Sequence, residues 1–385
     1  FTENLKLQRV VMEVFGGCNY TCQMCPQSNP GRGKNFTRKM KISEFERILD
    51  MIVPKYGNPQ INLEGSGEPT MAKDLPVYVS AVKKRGLKCF MYCNGARLNG
   101  EFMRKVIDAG IDFVRVSVIG YNRDLYKKWM NIDNFNLILS NLKEIKEYIK
   151  SSGSTCQLST YHLVTDNNNE EFEIEEYKKN VIEKVGLDRS YIWKMHNWSG
   201  NYENKNERIG LKKSSCGRPF APEITIRAGG EEGRTAAMVP CCQTLGPPNE
   251  EKSILGHLDK QTFEDVYFGE KYENLRDAHT RKAFDEIDYC KNCDFLYQSK
   301  DILAWTNDKG AKLNNMLGTG EDFILTEYNK QCNSSDNNRM YPSSNNWATC
   351  YETLLFNVYR LYKKMVPVKN TEKIIEESKH FIELK

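Results

Sequence analysis

The stretch GGCNYTCQMCP, at residues 16–26, contains three cysteines in the spacing C-x3-C-x2-C. A [4Fe–4S] cluster normally takes four thiolates, so this loop offers one ligand too few and leaves one iron open. Catalytic metal sites keep a vacant position in the same way. A zinc loop and a disulfide pair are the alternatives, although zinc sites usually repeat C-x2-C pairs at a distance. We therefore predict that Cys18, Cys22 and Cys25 bind an iron–sulfur cluster.

Around this loop, short β-branched runs alternate with amphipathic stretches from Arg9 to about Met195. Strands are predicted at 9–15, 60–63, 87–93, 112–118, 155–164 and 190–195, with helices between them. Ser43 and Glu46 have the spacing of a capping box at the first helix, and residues 124–149 indicate one long or broken helix. Strands separated by helices indicate parallel βαβ units. Reactive groups gather at the carboxyl ends of such strands, and the cysteine loop directly follows the first one.

The composition limits the classes of protein that remain. With 385 residues, the chain is long enough for one large α/β domain and a smaller one. Lys and Arg number 55 against 51 Asp and Glu, with both signs interspersed, unlike the concentrated basic surface of a nucleic-acid binder. No apolar run has transmembrane length, and residues 1–10 lack the order of a signal peptide. Thirteen cysteines without a secretory signal favour metal ligation over disulfides. We expect an oxygen-sensitive cytoplasmic protein with no membrane or nucleic-acid partner.

The second predicted strand is followed by EGSGEP at residues 64–69. Alone, this stretch is typical of a turn, in which glycine lets the backbone approach a ligand and proline stiffens the loop. Beside the cysteine loop it resembles the GGEP motif of the radical S-adenosylmethionine (SAM) superfamily. That resemblance implies a partial (β/α)6 TIM-like barrel over residues 1–200. It also implies that the open iron of the cluster holds the amino and carboxylate groups of SAM.

Several positions near the strand ends match SAM-binding positions of the resembled family. Ser66 stands where a second glycine is common, and Met24 stands where the family often has an aromatic residue. Asn94 before glycine is equally typical of a turn, and a strand serine such as Ser117 needs no functional explanation. The residues that the resemblance implies for SAM binding are Tyr20, Met24, Gly67, Glu68, Pro69, Asn94, Ser117 and Val164.

A second cysteine set lies downstream. Cys216 precedes a predicted hairpin with strands at 222–227 and 237–239, and a helix over about 262–279 follows before a C-x2-C pair. This order resembles the twitch form of the SPASM extension, in which a hairpin and a helix hold one auxiliary [4Fe–4S] cluster. The resemblance implies such a domain over residues 201–300, with Cys242 competing for one ligand position and a four-thiolate zinc site as the alternative. The implied ligands are Cys216, Cys241, Cys290 and Cys293.

The last part of the chain, residues 301–385, is predicted to be a mostly helical extension. An Asn- and Ser-rich loop is predicted near 327–346, with amphipathic helices at 351–365 and 371–384. Cys332 and Cys350 are isolated in this part, so we expect no second auxiliary cluster.

The resemblance implies that SAM is reductively cleaved to a 5′-deoxyadenosyl radical, which abstracts a substrate hydrogen. A low-potential donor such as flavodoxin or ferredoxin would supply the electron. An auxiliary cluster with four thiolates has no open iron, so we expect it to transfer electrons rather than bind substrate. We therefore predict an oxidoreductase of the dehydrogenase type, acting on a hydroxyl of a sugar, cyclitol or nucleotide-linked small molecule.

Two other functions stay open. One is a peptide- or protein-modifying maturase that forms thioethers or carbon–carbon crosslinks or oxidises a residue of a precursor peptide. We rank it second because the chain reaches its first strand within ten residues, without the leader-binding domain that many maturases carry. The other is a non-catalytic iron–sulfur or zinc scaffold, which would not need the EGSGEP loop.

Alcohol oxidation requires a proton acceptor, and the sequence assigns no catalytic residue to that role. The sixth strand and the hairpin offer candidates, each of which is more typical of a solvated or structural side chain. They are Tyr191, Lys194, His196, Arg227 and Arg234.

Overall fold

One sheet organises the part of the chain that the computed structural model describes, which comprises residues 5–28, 38–203, 215–230, 233–244, 246, 249–297, 302–306 and 340–343. The strands of these ranges are β1 (Arg9–Met12), β2 (Gln60–Leu63), β3 (Cys89–Cys93), β4 (Phe113–Ser117), β5 (Gln157–Val164), β6 (Arg189–Lys194), β7 (Glu223–Gly229), β8 (Thr235–Val239), β9 (Gly256–His257), β10 (Ile302–Thr306) and β11 (Met340–Ser343). Their order in the sheet is β11-β10-β6-β5-β4-β3-β2-β1-β7-β8-β9.

Strands β1 to β6 are parallel neighbours, and each crossover carries helix. The helices are α1 (Ile42–Tyr56), α2 (Leu75–Lys84), α3 (Gly100–Asp108), α4 (Arg123–Met130), α5 (Phe135–Ser152), α6 (Glu170–Tyr177), α7 (Asn249–Lys252), α8 (Phe263–Tyr267) and α9 (Glu270–Arg281). The six predicted strands and the partial (β/α)6 barrel are therefore confirmed. All four residues of β1 are buried, as expected where helices cover a parallel sheet.

Helix α1 shows how the core fixes an element boundary. Ser43 does not cap it, because the helix already begins at Ile42 and the Phe45 amide donates to the Lys41 carbonyl at 2.9 Å. Met40 is fully buried just before the helix, and the Tyr78 hydroxyl donates to its carbonyl oxygen. This anchoring brings the chain into the helix earlier than the capping-box spacing predicts.

The predicted helix over residues 124–149 is broken. Helix α4 ends at Asn131, which adopts a left-handed conformation with φ 56°, and α5 resumes at Phe135. The Asn131 amide donates to the Thr21 hydroxyl at 2.9 Å. The break therefore sets the carboxyl end of α4 against the cysteine loop.

Further strands extend the sheet on both sides of the barrel. The predicted hairpin is present as β7 and β8, and β7 also runs parallel to β1, from Arg9 opposite Glu223 to Met12 opposite Ile226. On the other side, β10 pairs antiparallel with both β6 and β11. The hairpin thus belongs to the same sheet as the barrel, while the domain boundaries at residues 200 and 300 stay predictions.

The predicted helices at 351–365 and 371–384 lie outside the described residues, as do Cys332, Cys350 and most of the Asn- and Ser-rich loop. Within the described ranges, no helix combines the length and apolar character that crossing a membrane would require.

Candidate active site

A cavity of about 270 Å³ lies at the carboxyl ends of the barrel strands. The loops after β1 and β2 line it, together with the last residues of β3, β4 and β6. The predicted site residues on its wall are Cys18, Tyr20, Cys22, Cys25, Gly67, Glu68, Asn94 and Ser117. The structure does not bring three others to the wall. Met24 and Val164 are buried in the core, and Pro69 is buried in the turn after β2.

The three thiols of the cysteine loop face the same space. Burial raises the pKa of Cys18 to about 12, and it raises the pKa of Cys22, which also feels Cys25 and Cys18, well above the usual value. These thiols are therefore protonated in the absence of metal, and a metal that binds thiolate would displace the protons.

The donor set of the cysteine loop indicates which kind of metal centre it suits. Within the described ranges, no group of three His, Cys, Asp or Glu side chains is placed to hold a single metal ion. Three soft thiolates suit iron–sulfur chemistry, and the donor set on the cavity wall fits a [4Fe–4S] cluster.

Gly67 lets the loop after β2 touch the cysteine loop. A Cβ atom at this position would overlap the backbone of Phe15, Gly16 and Gly17, and the Glu68 amide donates to the Gly17 carbonyl at 2.8 Å. Only glycine permits an approach this close. The two motifs therefore form one wall of the cavity, although residues 27–63 lie between them in sequence.

The Glu68 carboxylate braces the neighbouring strand end. It accepts hydrogen bonds from the Thr70 hydroxyl at 2.5 Å and from the Asn94 amide nitrogen of the backbone at 2.7 Å. The Asn94 side chain accepts from the Ala96 amide at 3.0 Å and donates to Asn19 in the cysteine loop at 2.8 Å. Asn94 thus makes the turn that its sequence predicts and also contacts the cluster loop.

A buried ion pair, which the sequence did not reveal, fixes the base of both loops. The Arg38 Nε donates to Glu13 Oε1 at 2.5 Å, and the Ser66 amide donates to Glu13 Oε2 at 2.7 Å. The Ala228 amide on β7 also donates to this carboxylate, at 3.2 Å. Ser66, which replaces the usual glycine, also donates a hydrogen bond from its hydroxyl group to Glu13 Oε2. Glu13 therefore joins β1, the loop after β2 and β7.

A second, narrower cavity contains four thiols. It is lined by Cys216, Cys241, Cys290 and Cys293. Burial raises the pKa of Cys290, and the other three thiols raise it further. A fully buried imidazole, His279, lines the same cavity, and its Nε2 has no hydrogen-bond partner in the described part of the chain. Four thiols and an unused donor fit a cluster whose sulfurs accept hydrogen bonds.

Cys241 and Cys242, the two candidates for one ligand position, line different cavities. Cys241 lines the four-thiol cavity, whereas Cys242 lines the larger cavity, with its Sγ 3.6 Å from Arg218 Nη1. Cys241 thus lies beside the other predicted ligands of the auxiliary cluster, whereas Cys242 faces the larger cavity.

Two family models match this chain, one in the region of the cysteine loop and one in the region of the downstream cysteines. The family model described as the radical SAM superfamily matches residues 12–174, and a model described as an iron–sulfur cluster-binding domain, SPASM, matches residues 223–294. Residues 12–174 are therefore a radical SAM domain, and residues 223–294 are a SPASM-type domain. The first domain implies an enzyme with SAM and a [4Fe–4S] cluster as cofactors, and the second implies further iron–sulfur binding.

Curated relatives match mainly in the radical SAM region. A "Probable GTP 3′,8-cyclase" of Metallosphaera sedula is 21% identical over 222 residues, covering 55% of this chain and 67% of the relative. One from Thermococcus kodakarensis is 30% identical over 134 residues, or 34% and 41% of the two chains. The "Fe-coproporphyrin III synthase" of Methanosarcina barkeri is 29% identical over 111 residues, or 29% and 27%. The chain thus spans between 27% and 67% of these relatives' length.

Solved structures show the same radical SAM fold. SuiB of Streptococcus suis, bound to its precursor peptide SuiA, superposes with a TM-score of 0.52 at 15% identity, covering 71% of this chain and 67% of SuiB. The structure described as native anSMEcpe with bound AdoMet superposes with a TM-score of 0.51 at 10% identity, covering 92% and 98%. At these identities the likeness concerns the fold alone.

The floor of the radical SAM cavity carries charges that sequence reasoning missed. Arg9 Nη2 lies 2.6 Å from Glu223 Oε2, and Arg218 Nη1 lies 3.3 Å from Glu223 Oε1. Glu64 lines the same cavity and accepts a hydrogen bond from the Asn62 amide at 3.1 Å. Two features of the sequence pointed to these charges: Arg9 in the otherwise apolar strand β1, and Glu64 directly after β2. Both were visible, but nothing in the sequence related them to Glu223.

Among the candidates for a proton acceptor, only His196 lines the cavity in the described structure. Arg227 donates to the Thr244 carbonyl, and Arg234 pairs with Asp259 at 2.6 Å. Tyr191 is buried beneath the Arg115 guanidinium, which lies 3.7 Å from its ring centre. The Lys194 side chain lies outside the described atoms.

The Glu64 carboxyl is another titratable group on the cavity wall that is suited to exchange protons. Withdrawal from bulk water raises its pKa, and Arg9 and the Asn62 hydrogen bond only partly oppose this effect. No described residue donates a hydrogen bond to its second oxygen, Oε2. A carboxylate with a raised pKa and a free oxygen is a suitable general base.

Proposed function

We propose that this radical SAM enzyme is a dehydrogenase that oxidises a hydroxyl of a small sugar, cyclitol or nucleotide-linked substrate. The observation that supports this function best is that Arg218 and Gln243 line both cavities. The four thiols are thus one layer of side chains away from the substrate space. Such proximity suits an auxiliary cluster that takes an electron from a bound substrate.

The proposal assigns a ligand role to each thiol set. Cys18, Cys22 and Cys25 hold the cluster that binds SAM, and the wall formed by Gly67 and Glu68 contacts SAM through its backbone. Tyr20, Asn94 and Ser117 complete that pocket. Cys216, Cys241, Cys290 and Cys293 hold the auxiliary cluster, and the four thiolates leave it no open iron for substrate.

Oxidation of an alcohol to a ketone removes a hydrogen atom from carbon, a proton from the hydroxyl group and one further electron. When bound, SAM and its cluster supply the oxidant that removes the C–H hydrogen atom. The hydroxyl proton goes to a base, the remaining electron goes to the auxiliary cluster, and the carbon becomes a ketone. The three losses balance a two-electron oxidation.

Glu64 is the proposed base. Its Oε2 lacks a protein donor in the described structure, and its carboxyl faces the cavity with a raised pKa. Arg9, Tyr92, Arg115 and Glu223 are the charged and titratable groups around it. The proton would thus leave toward β2, while the electron leaves toward Arg218 and the four-thiol cavity.

The reactions of the relatives do not transfer to this chain. The GTP 3′,8-cyclases match it over at most about half of its length, and SuiB shares only the fold. Peptide maturation remains the second hypothesis. No contact on the cavity wall distinguishes it, so the assay must include a peptide arm.

The test uses anaerobically reconstituted enzyme with SAM, dithionite and a panel of cyclitols, amino sugars and sugar nucleotides. We expect one ketone for each 5′-deoxyadenosine with at least one compound of the panel. The opposing result is deoxyadenosine formation without ketone from any compound, together with crosslinking of a precursor peptide encoded beside the gene.

Two variants separate the proposed electron and proton acceptors. Replacing Cys290 and Cys293 with alanine should preserve deoxyadenosine formation but abolish ketone. Glu64→Gln should lower the ratio of ketone to deoxyadenosine by about 100-fold, a typical contribution of a general base. Glu101→Gln, on the exposed face of α3, is the matched control and should leave the ratio unchanged.

A further inference from the structure

His279 is a buried imidazole whose hydrogen bonding is incomplete. It lies near the end of α9, has no exposed surface and lines the cavity of the four thiols. Its Nδ1 lies 2.9 Å from the Ser215 hydroxyl oxygen. Its Nε2 has no protein partner in the described part of the chain.

The contacts of Ser215 favour the tautomer of the ring that carries its proton on Nε2. The Gly217 amide donates to Ser215 Oγ at 2.9 Å, so the hydroxyl hydrogen is available to donate to His279 Nδ1. A neutral imidazole that accepts at one nitrogen carries its proton on the other. Nε2 is therefore an N–H donor.

Among the described residues, the neighbours of this donor are aromatic side chains, and none of them accepts a hydrogen bond from Nε2. The ring of His279 makes edge-to-face contacts with Phe220 and Phe284, with centroids 6.4 Å and 5.1 Å away. A buried N–H group without an acceptor is unfavourable. The remaining side of the ring faces the cavity, where cluster sulfurs are the acceptors that a bound auxiliary cluster would provide.

We infer that His279 Nε2–H donates a hydrogen bond to a sulfur of the auxiliary cluster and thereby raises the cluster's reduction potential. Reduction adds negative charge that spreads over the sulfurs, and a fixed donor stabilises the reduced form more than the oxidised form. His279 is thus a positioning residue that acts through the auxiliary cluster and not on the substrate. The inference depends on the ligand role of the four thiols and is independent of which substrate is oxidised.

The experiment isolates the auxiliary cluster in the full chain by replacing Cys18, Cys22 and Cys25 with alanine. Redox titration of this parent, followed by electron paramagnetic resonance, is compared with the same chain carrying His279→Phe or His279→Gln. Phenylalanine keeps an aromatic ring between Phe220 and Phe284 but has no donor. The amide nitrogen of glutamine restores a donor near the position of Nε2.

We expect His279→Phe to reduce the ratio of reduced to oxidised cluster about tenfold at a fixed applied potential, which is ~59 mV for one electron. His279→Gln should recover most of that difference, with equal iron content in all three proteins. Equal potentials in the parent and His279→Phe would overturn the inference. Equal shifts in both variants would overturn it too, because packing would then be the cause.

A measurement on the parent alone covers the case in which His279→Phe loses its iron. In parent protein grown with ¹⁵N-histidine, pulsed resonance of the reduced cluster should show one weak nitrogen coupling, as expected across a hydrogen bond. Absence of any histidine coupling, or a coupling strong enough for direct coordination to iron, would refute the inference. Failure of the parent to bind iron would instead refute the proposed ligands.

Discussion

Replacing Glu13 with glutamine tests the buried ion pair that joins the two cofactor loops. The side chain of Glu13 is 1% exposed and that of Arg38 is 15% exposed. Glutamine keeps the shape of the side chain and one acceptor oxygen, so Ser66 can still donate to it. The variant removes the negative charge opposite Arg38 and the acceptor oxygen Oε1, which receives hydrogen bonds from Arg38 and Ala228.

The magnitude follows from the pKa of the carboxyl. Burial alone would raise it, but the charge of Arg38 and hydrogen bonds from Arg38 and Ser66 prevail and lower the pKa of Glu13 from 4.5 to about 2. That difference corresponds to about 3 kcal/mol of stability at neutral pH, since each pKa unit is worth about 1.4 kcal/mol. Because the folded-state pKa is the lower one, this contribution is complete above about pH 4.5. It is lost as the pH falls toward 2.

The assay is anaerobic urea unfolding of the reconstituted protein, measured at pH 6, 7 and 8. We expect Glu13→Gln to lower the free energy of unfolding by about 3 kcal/mol at each pH, since Glu13 is ionised in both states throughout this range. Glu264→Gln is the control, because Glu264 pairs with Lys55 on the surface, where the side chains are 34% and 66% exposed. It should cost less than about 1 kcal/mol. A Glu13→Gln effect no larger than that of the control would refute the reasoning.

Three further predictions concern single side chains. Cys241→Ala should lower the iron content from about eight to about four iron atoms per chain, while Cys242→Ala should keep about eight. The iron content of both purified variants is measured, and an equal loss of iron in both would contradict the assignment of Cys241 as the ligand. Gly67→Ala places a methyl group against the backbone of residues 15–17, and we expect at least about tenfold slower SAM cleavage, measured as deoxyadenosine; unchanged cleavage would show that the loops need not touch. Thr262→Ala removes the capping box of α8 and should cost about 1 kcal/mol in unfolding with normal SAM cleavage, whereas a loss of cleavage would reveal a role beyond the cap.

Local patterns predicted the barrel well because its strands and helices repeat with a regular period. Strand β2 matches its predicted bounds, and the other five barrel strands differ by a few residues at their ends. The pairing of β7 with β1 was not predictable in this way. It joins residues more than 200 positions apart, and periodicity carries no information on such partners.

The residues of the candidate site were likewise predictable only where they lie within one short segment of the sequence. Motif spacing identified the three thiols of the cysteine loop and the EGSGEP loop, because each motif lies within one short segment. The Glu13–Arg38 pair was missed because its members belong to different segments and resemble ordinary surface charges. The direction of Cys242 depends on the turn after β8, so two adjacent cysteines looked equivalent until their surroundings were known.

The register between β1 and β7 has a consequence for how this enzyme can diversify. Neighbouring strands stand about 4.8 Å apart, and their ladder from Arg9 opposite Glu223 to Met12 opposite Ile226 prevents sliding or hinging. The backbone therefore fixes the distance between the cysteine loop after β1 and the hairpin that precedes Cys241. Mutations in the loops at the rim of the cavity can change which molecule binds there without changing that distance.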